Sequence, residues 1–264
     1  MKIGYVQFKP QFGKKEENLK RALDFLKIGA LQEADLIVLP ELFNTGYVFR
    51  SRDEVEMLSE QIPEGETTRA LIHFAKENAL HIVAGICERR DDKFFNSAVL
   101  VSPDENVSIY QKAHLFYEEK IWFSLGDVPF SVYDIGKARV GIMICFDWFF
   151  PEVIRILALK GAQIVCHPSN LLLPYCQKAM LGAAIQNRVF IITANRVGTE
   201  RGVKFTGKSQ IVDPNMKILA SSGRDGEDVK IVDVNPRDAD SKMITKYNDL
   251  WADRRIELYT SLLD

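Results

Sequence analysis

Three side chains in this chain stand where apolar segments stop. Glu41 follows Leu36-Ile37-Val38-Leu39-Pro40, Lys112 follows Ile109-Tyr110-Gln111, and Cys145 follows Val140-Gly141-Ile142-Met143-Ile144. Each type suits one task in acyl transfer. A thiol is mostly protonated near neutral pH, so a nucleophilic cysteine needs a base or a positive neighbour. A carboxylate in an apolar pocket has a raised pKa and can both take and return a proton. An ammonium is a fixed donor for an oxygen that turns negative in a tetrahedral intermediate. The segment after Cys145 leads into a helix, so backbone N–H groups from Phe146 onward offer a second donor. Singly, each residue has a plainer explanation: a core cysteine, an acid at a helix start, a surface lysine. Their joint placement at three strand ends is what favours chemistry. Ligands in α/β sheets bind outside the carboxyl ends of strands, so if these strands are parallel neighbours the three side chains meet at one rim.

The surrounding elements must do the positioning. Apolar runs predict strands at 2–8, 36–39, 81–86, 98–102, 107–111, 138–144, 163–167 and 190–194, with further strands near 209–212, 217–220 and 229–234. Amphipathic spacing predicts helices at 17–30 and 67–78, the first carrying Leu19, Ala22, Leu23 and Leu26 on one face. Further helices are predicted at 151–160, with Pro151 in its first turn and Gly161 as its stop, and at 177–188. There is no repeat, low-complexity segment or Pro/Gly/Ser linker, so residues 1–264 read as one domain. The polar tail at 238–264, with scattered Leu, Trp and Tyr, is expected to pack at a subunit interface. Strands this apolar must be covered on both faces. A layered α/β architecture follows, although pattern alone leaves three-layer and four-layer stacks open.

Three linked segments carry a family resemblance. Pro40-Glu41-Leu42-Phe43-Asn44-Thr45-Gly46-Tyr47, then Gln111-Lys112-Ala113-His114-Leu115-Phe116, then Gly141-Ile142-Met143-Ile144-Cys145-Phe146-Asp147 with Pro151-Glu152, resemble the signature segments of the nitrilase superfamily, in the same order. Gly207-Lys208-Ser209-Gln210-Ile211-Val212-Asp213-Pro214 looks like that family's late strand. The resemblance implies a four-layer α-β-β-α sandwich and homodimers or higher homo-oligomers. It implies Glu41, Lys112 and Cys145 as the catalytic set, Glu119 as a second glutamate (with Glu118 adjacent), and the Phe146 N–H as an oxyanion donor. Two departures stand out. Many members have an arginine two residues before the Pro–Glu pair, where this chain has the run Trp148-Phe149-Phe150. Many have a glutamate where Gln186 stands.

Amide hydrolysis is the first expectation, with Glu41 as base, a thioester on Cys145, and water activated by Glu41 with help from Glu119. A nitrilase using the same residues on a C≡N group is the alternative. A non-catalytic binding protein on the same fold is a third reading, which predicts loss of a catalytic residue, and none is missing. Trp148, Phe43, Tyr47 and Phe116, with Asn170 beside them, suggest a small apolar pocket, although such aromatics also serve as core.

Composition removes other classes. A net charge of −2 gives no general attraction to nucleic acid or an anionic membrane. No apolar stretch approaches the roughly 20 residues of a bilayer span, and Met1-Lys2-Ile3-Gly4-Tyr5-Val6 reads directly as a strand, so a cytoplasmic location is expected. Cys87, Cys145, Cys166 and Cys176 form no Cys-x-x-Cys pair, and His73, His81, His114 and His167 show no ligand spacing. Cys166 and His167 are adjacent in a strand and point to opposite faces. Neither a metal nor a cofactor is expected; the expected partner is a small amide or nitrile.

Overall fold

In the computed structural model, which describes residues 1–263, the alternating pattern becomes two six-stranded sheets. The first half supplies β1 (Lys2–Gln7), α1 (Lys15–Leu31), β2 (Leu36–Val38), α2 (Arg52–Leu58), α3 (Glu66–Asn78), β3 (His81–Arg90), β4 (Lys93–Val101) and β5 (Val107–Gln111). A short α4 (Glu119–Trp122) leads to β6 (Val132–Asp134), β7 (Arg139–Ile142), α5 (Pro151–Leu159), β8 (Ile164–Ser169), α6 (Cys176–Asn187) and β9 (Phe190–Asn195). A small ribbon of β10 (Thr199–Glu200) and β11 (Val203–Lys204) precedes β12 (Gln210–Val212), β13 (Ile218–Ser221) and β14 (Asp228–Asp233). The sheet orders are β14-β1-β2-β3-β4-β5 and β13-β12-β9-β8-β7-β6.

Alternation along each strand decides what each face covers. Ile3, Tyr5, Leu36, Val38 and Val83 face the second sheet, where they join Val140, Ile142, Ile164 and Cys166 in one core. Val6, Ile37, Ile82 and Ala84 face outward, against Leu19, Ala22 and Leu26 of α1 and Leu71, Phe74 and Ala75 of α3. On the far side of the second sheet, α5 contributes Val153 and Leu157, and α6 contributes Met180 and Ala184. The stack is therefore α-β-β-α, which resolves the layer count that periodicity left open. Each fully buried apolar side chain contributes about 1.5–3 kcal/mol, so the sheets are rigid platforms for groups at their ends. Close approach is built in: Gly29 of α1 lies where a Cβ would fall 2.1 Å from Cδ1 of Ile37.

The strands that end near Glu41, Lys112 and Cys145 are not adjacent, contrary to the simplest expectation. β2 and β5 lie in the first sheet with β3 and β4 between them, and β7 lies in the second. β2 and β3 are parallel, and β3–β4 and β4–β5 are antiparallel, so β2 and β5 run the same way. The three ends meet across the gap between stacked sheets, not along one rim.

Beyond β14 the tail folds against α5. Trp251 sits between the guanidinium of Arg155 at 4.8 Å and the ammonium of Lys242 at 5.2 Å. Tyr247, Ile256, Leu258 and Leu262 remain exposed. Asp264, the last residue of the expected interface tail, lies outside the described residues. Among the described residues, no helix is long and apolar enough to cross a membrane.

Candidate active site

Cys145 opens a 3-10 turn (Cys145–Phe149) directly after β7 and adopts φ +39°. A left-handed residue other than glycine costs of order 1 kcal/mol and survives only when its surroundings hold it. Here Asp147, fully buried, does much of the holding. Its Oδ2 accepts the Ile144 N–H at 2.9 Å and the Tyr110 hydroxyl at 2.7 Å, and its Oδ1 accepts the His114 N–H at 3.1 Å. The turn that opens with Cys145 is thus tied to β5 and to the segment that follows Lys112. The His114 ring stacks on Phe150 at 3.6 Å.

Glu41 sits in the turn after β2 and is fully buried. Its Oε1 accepts from Lys112 Nζ at 2.7 Å and from Asn96 Nδ2 at 2.7 Å, while Oε2 has no partner. Gly85 of β3 lies against its backbone, where an added Cβ would come within 2.4 Å of the Glu41 Cα. Gly85→Ala must therefore displace the carboxylate, and a shift of that size is expected to lower kcat about tenfold to a hundredfold. Steady-state kinetics beside a melting curve checks it: lost activity with a retained melting transition is the expected pair.

Lys112 leaves β5 with its N–H bonded to the Asn96 carbonyl at 2.8 Å. Its ammonium reaches Glu41 and, at 2.8 Å, Oε1 of Glu119. The same Glu119 oxygen accepts the Tyr47 hydroxyl at 2.6 Å, and Oε2 accepts the Phe116 N–H at 3.1 Å. Two carboxylates therefore share one ammonium away from water. Burial pushes Glu41 above the usual carboxylate range, against the pull of Lys112. Burial alone would lower Lys112, yet Glu119 and Glu41 outweigh it and hold it charged. Burial and the Glu41 charge push the Cys145 thiol up. The Cys145 thiol is therefore neutral at rest, and Glu41 keeps one free oxygen.

The cavity over Cys145 measures about 30 Å³ and is walled by Phe116, Phe146, Trp148, Phe149, Asn170 and Leu172. That is room for a group of a few atoms. A neighbouring cavity of about 140 Å³, lined by Tyr47, Glu119, Trp122 and Phe123, shares Phe116 and Leu172 as its wall. A concavity of about 610 Å³ lies against the tail beside Arg155, Arg254 and Tyr259, and no cysteine lines it.

The sequence model of the carbon–nitrogen hydrolase family matches residues 2–242. The chain is a carbon–nitrogen hydrolase. It is 46% identical to a nitrilase of Pyrococcus abyssi (strain GE5 / Orsay), over 98% of this chain and 99% of that protein. A solved carbon–nitrogen hydrolase from Helicobacter pylori G27 superposes with a TM-score of 0.91 at 26% identity, covering 100% of this chain and 98% of that one. An amidase from Nesterenkonia sp. AN1, solved with acrylamide added to its active-site cysteine, superposes with a TM-score of 0.83 at 26% identity, over 99% of each chain. Membership sets aside the reading of a merely binding protein.

Within this carbon–nitrogen hydrolase, Glu41, Lys112, Glu119 and Tyr47 form one hydrogen-bonded cluster, and Cys145, Phe146, Phe116, Trp148 and Asn170 line the cavity. Glu118 is exposed, which separates it from Glu119. Phe43 is a correction. Its ring packs with Val6, Phe8, Ile37 and Leu39 on the outer face of the first sheet, from the turn after β2, and so takes no part in walling the cavity over Cys145. Tyr47 lines the neighbouring cavity, not the one over the thiol. Gln186 gives its carbonyl to Arg155 on the α5–α6 face and takes no part in the site.

Asn96, Asp147 and His167 went unread as site residues. The first had a signal: Asn96-Ser97 is a polar pair between the apolar runs Phe94-Phe95 and Ala98–Val101 of β4. Arg196 and Glu200 were missed too. This fully buried ion pair, 2.7 Å apart, presents Glu200 Oε1 to the N–H groups of Tyr47 and Val48. It thereby sets where Tyr47 meets Glu119.

Proposed function

We propose that the protein hydrolyses the terminal carbon–nitrogen bond of small uncharged amides through a thioester on Cys145. The observation that carries this is the unpartnered Oε2 of Glu41, since its other oxygen is spent on Lys112 and Asn96. The thiol sulfur attacks the amide carbon and its proton passes to Glu41. The oxyanion takes hydrogen bonds from Lys112 and the Phe146 N–H. The C–N bond breaks, Glu41 protonates the leaving nitrogen, and ammonia departs. Water then gives its proton to Glu41 and adds to the thioester. Collapse returns the proton to sulfur and releases the acid. Glu119 acts through Lys112: its two oxygens already carry three donors, which leaves Glu41 as the base for water.

A nitrile substrate is the second reading, favoured by the Pyrococcus abyssi relative named a nitrilase. Attack would give a thioimidate, and a first water would add before ammonia leaves. The aromatic and leucine walls favour an uncharged substrate in either case. Ammonia release from butyramide, benzamide, butyronitrile, benzonitrile and succinamate decides among these. Butyramide or benzamide is expected to lead and succinamate to trail; faster nitrile turnover would reverse the ranking. The acid limb of kcat/KM is expected above the ordinary carboxylate range, because the base must be unprotonated and burial raises Glu41.

The exposed apolar residues of the tail support a homodimer in which that tail is covered. The cysteines, free and buried, suit a reducing compartment such as the cytoplasm.

A further inference from the structure

We propose that His167 is a positioning residue for the oxyanion site: its ring pins the Cys145–Phe146 peptide so that the Phe146 N–H faces the reacting oxygen. This rests on the thiol reading above and adds the part that aims the backbone donor.

His167 lies on β8, fully buried, directly behind the nucleophile turn. Its Nε2 is 3.0 Å from the Cys145 carbonyl oxygen, and its Nδ1 is 3.2 Å from Thr193 Oγ1. Thr193 is its register partner on β9, so the sheet itself fixes that second contact. A carbonyl oxygen only accepts, so Nε2 must carry the ring hydrogen. Nδ1 then accepts from the Thr193 hydroxyl. Burial draws the imidazole down to about 4, so near neutral pH the ring has one N–H, and Thr193 keeps it on Nε2.

The peptide geometry supplies the link to catalysis. Among the described residues, the one cis bond is Ile62–Pro63, so the Cys145–Phe146 peptide is trans. In a trans peptide, C=O and N–H point in opposite directions within one plane. With the carbonyl held down onto β8, the Phe146 N–H points away from β8, on the side where Phe146 and Cys145 line the cavity. Phe146 is in the first turn of its 3-10 segment, where backbone N–H groups lack partners within the turn. The left-handed Cys145 gives this peptide a reason to relax once it is released.

The test separates positioning from folding and from the thiol reading. His167→Leu keeps most of the volume and removes the ring donor. Its kcat on butyramide is expected to fall about tenfold to a hundredfold, with KM within about twofold. Alkylation of Cys145 by iodoacetamide is a displacement at saturated carbon and forms no oxyanion, so its rate is expected to stay within about threefold. Butyraldehyde adds to the sulfur while the thiol proton moves to its oxygen, so its protection against alkylation reads the oxyanion site without turnover. That protection is expected to weaken about tenfold in His167→Leu and to return in His167→Gln, whose amide reaches near the Nε2 position. Thr193→Val should show the same pattern at a few-fold. Unchanged kcat and aldehyde protection in His167→Leu would overturn the proposal, as would an equal loss of alkylation. Should that variant not fold, Thr193→Val decides: weaker protection with intact alkylation supports the proposal, and no change sinks it. Failure of the thiol reading is seen separately, as hydrolysis that survives Cys145→Ala.

Discussion

Cys145→Ala is expected to fold as the parent does and to lose hydrolysis by about 10⁵-fold or more, the scale seen when a covalent nucleophile is removed from a preformed site. The substitution deletes one sulfur from a residue bordering a cavity, so it leaves little new void. The contacts that shape the turn run through Asp147 and the Cys145 carbonyl, not through the sulfur. Melting temperature should move by only a few degrees, as for a loss of order 1 kcal/mol. The residual rate reports what the donors and the binding walls do alone. Labelling should follow the same division. Cys145 lines a cavity, whereas Cys87, Cys166 and Cys176 are fully buried in the core with thiols pushed up by that burial. Iodoacetamide should therefore modify one residue quickly in the folded parent and none in Cys145→Ala. A variant that still released ammonia at the parent rate would end the covalent mechanism.

Lys112→Met combines the second large effect on rate with a large effect on stability. The ammonium is the shared partner of Glu41 and Glu119, which are both buried. Removing it leaves two carboxylates facing one another without a cation, a change that costs about 3–5 kcal/mol when a buried pair is broken. Activity is expected to fall at least about a thousandfold, since a donor to the oxyanion and the holder of the base are lost together. The pH dependence has a defined sign. Without Lys112 the Glu41 pKa rises further in the folded state, because its desolvation and the nearby Glu119 charge lose their counterweight. Groups raised in the folded state favour folding below their unfolded pKa, and that advantage disappears as pH climbs through the folded value. Lys112→Met should thus be least stable near neutral pH and should recover part of its deficit on acidification toward the ordinary carboxylate range. Urea melts at several pH values give the result, and a deficit that deepened on acidification would contradict this account.

Strand ends were readable because an apolar run that stops at a charged residue is a local signal. Glu41, Lys112 and Cys145 each carried it. What brought them together was not local. β2 and β5 have two strands between them in one sheet and β7 is in the other, so the meeting depends on how sheets stack. Phe43 shows the limit from the other side. Two residues from Glu41, in the same turn, an aromatic can pack to either side of the sheet, and here it packs outward. His167 was legible only as a poor metal ligand. Its position is defined by a carbonyl in another element and a hydroxyl in the next strand, and neither contact leaves a spacing in the sequence. Arg196 and Glu200, four residues apart, look like an ordinary surface pair until burial is known.

The partition between the cavity over Cys145 and its larger neighbour is made of Phe116 and Leu172, which face both. Their side chains take no part in the hydrogen-bonded cluster of Glu41, Lys112 and Glu119, which Phe116 touches only through its backbone N–H. The proton-carrying groups and the choice of what is admitted are therefore written in separate side chains. Descendants of this protein can change diet by trimming or enlarging two side chains while inheriting the reaction intact.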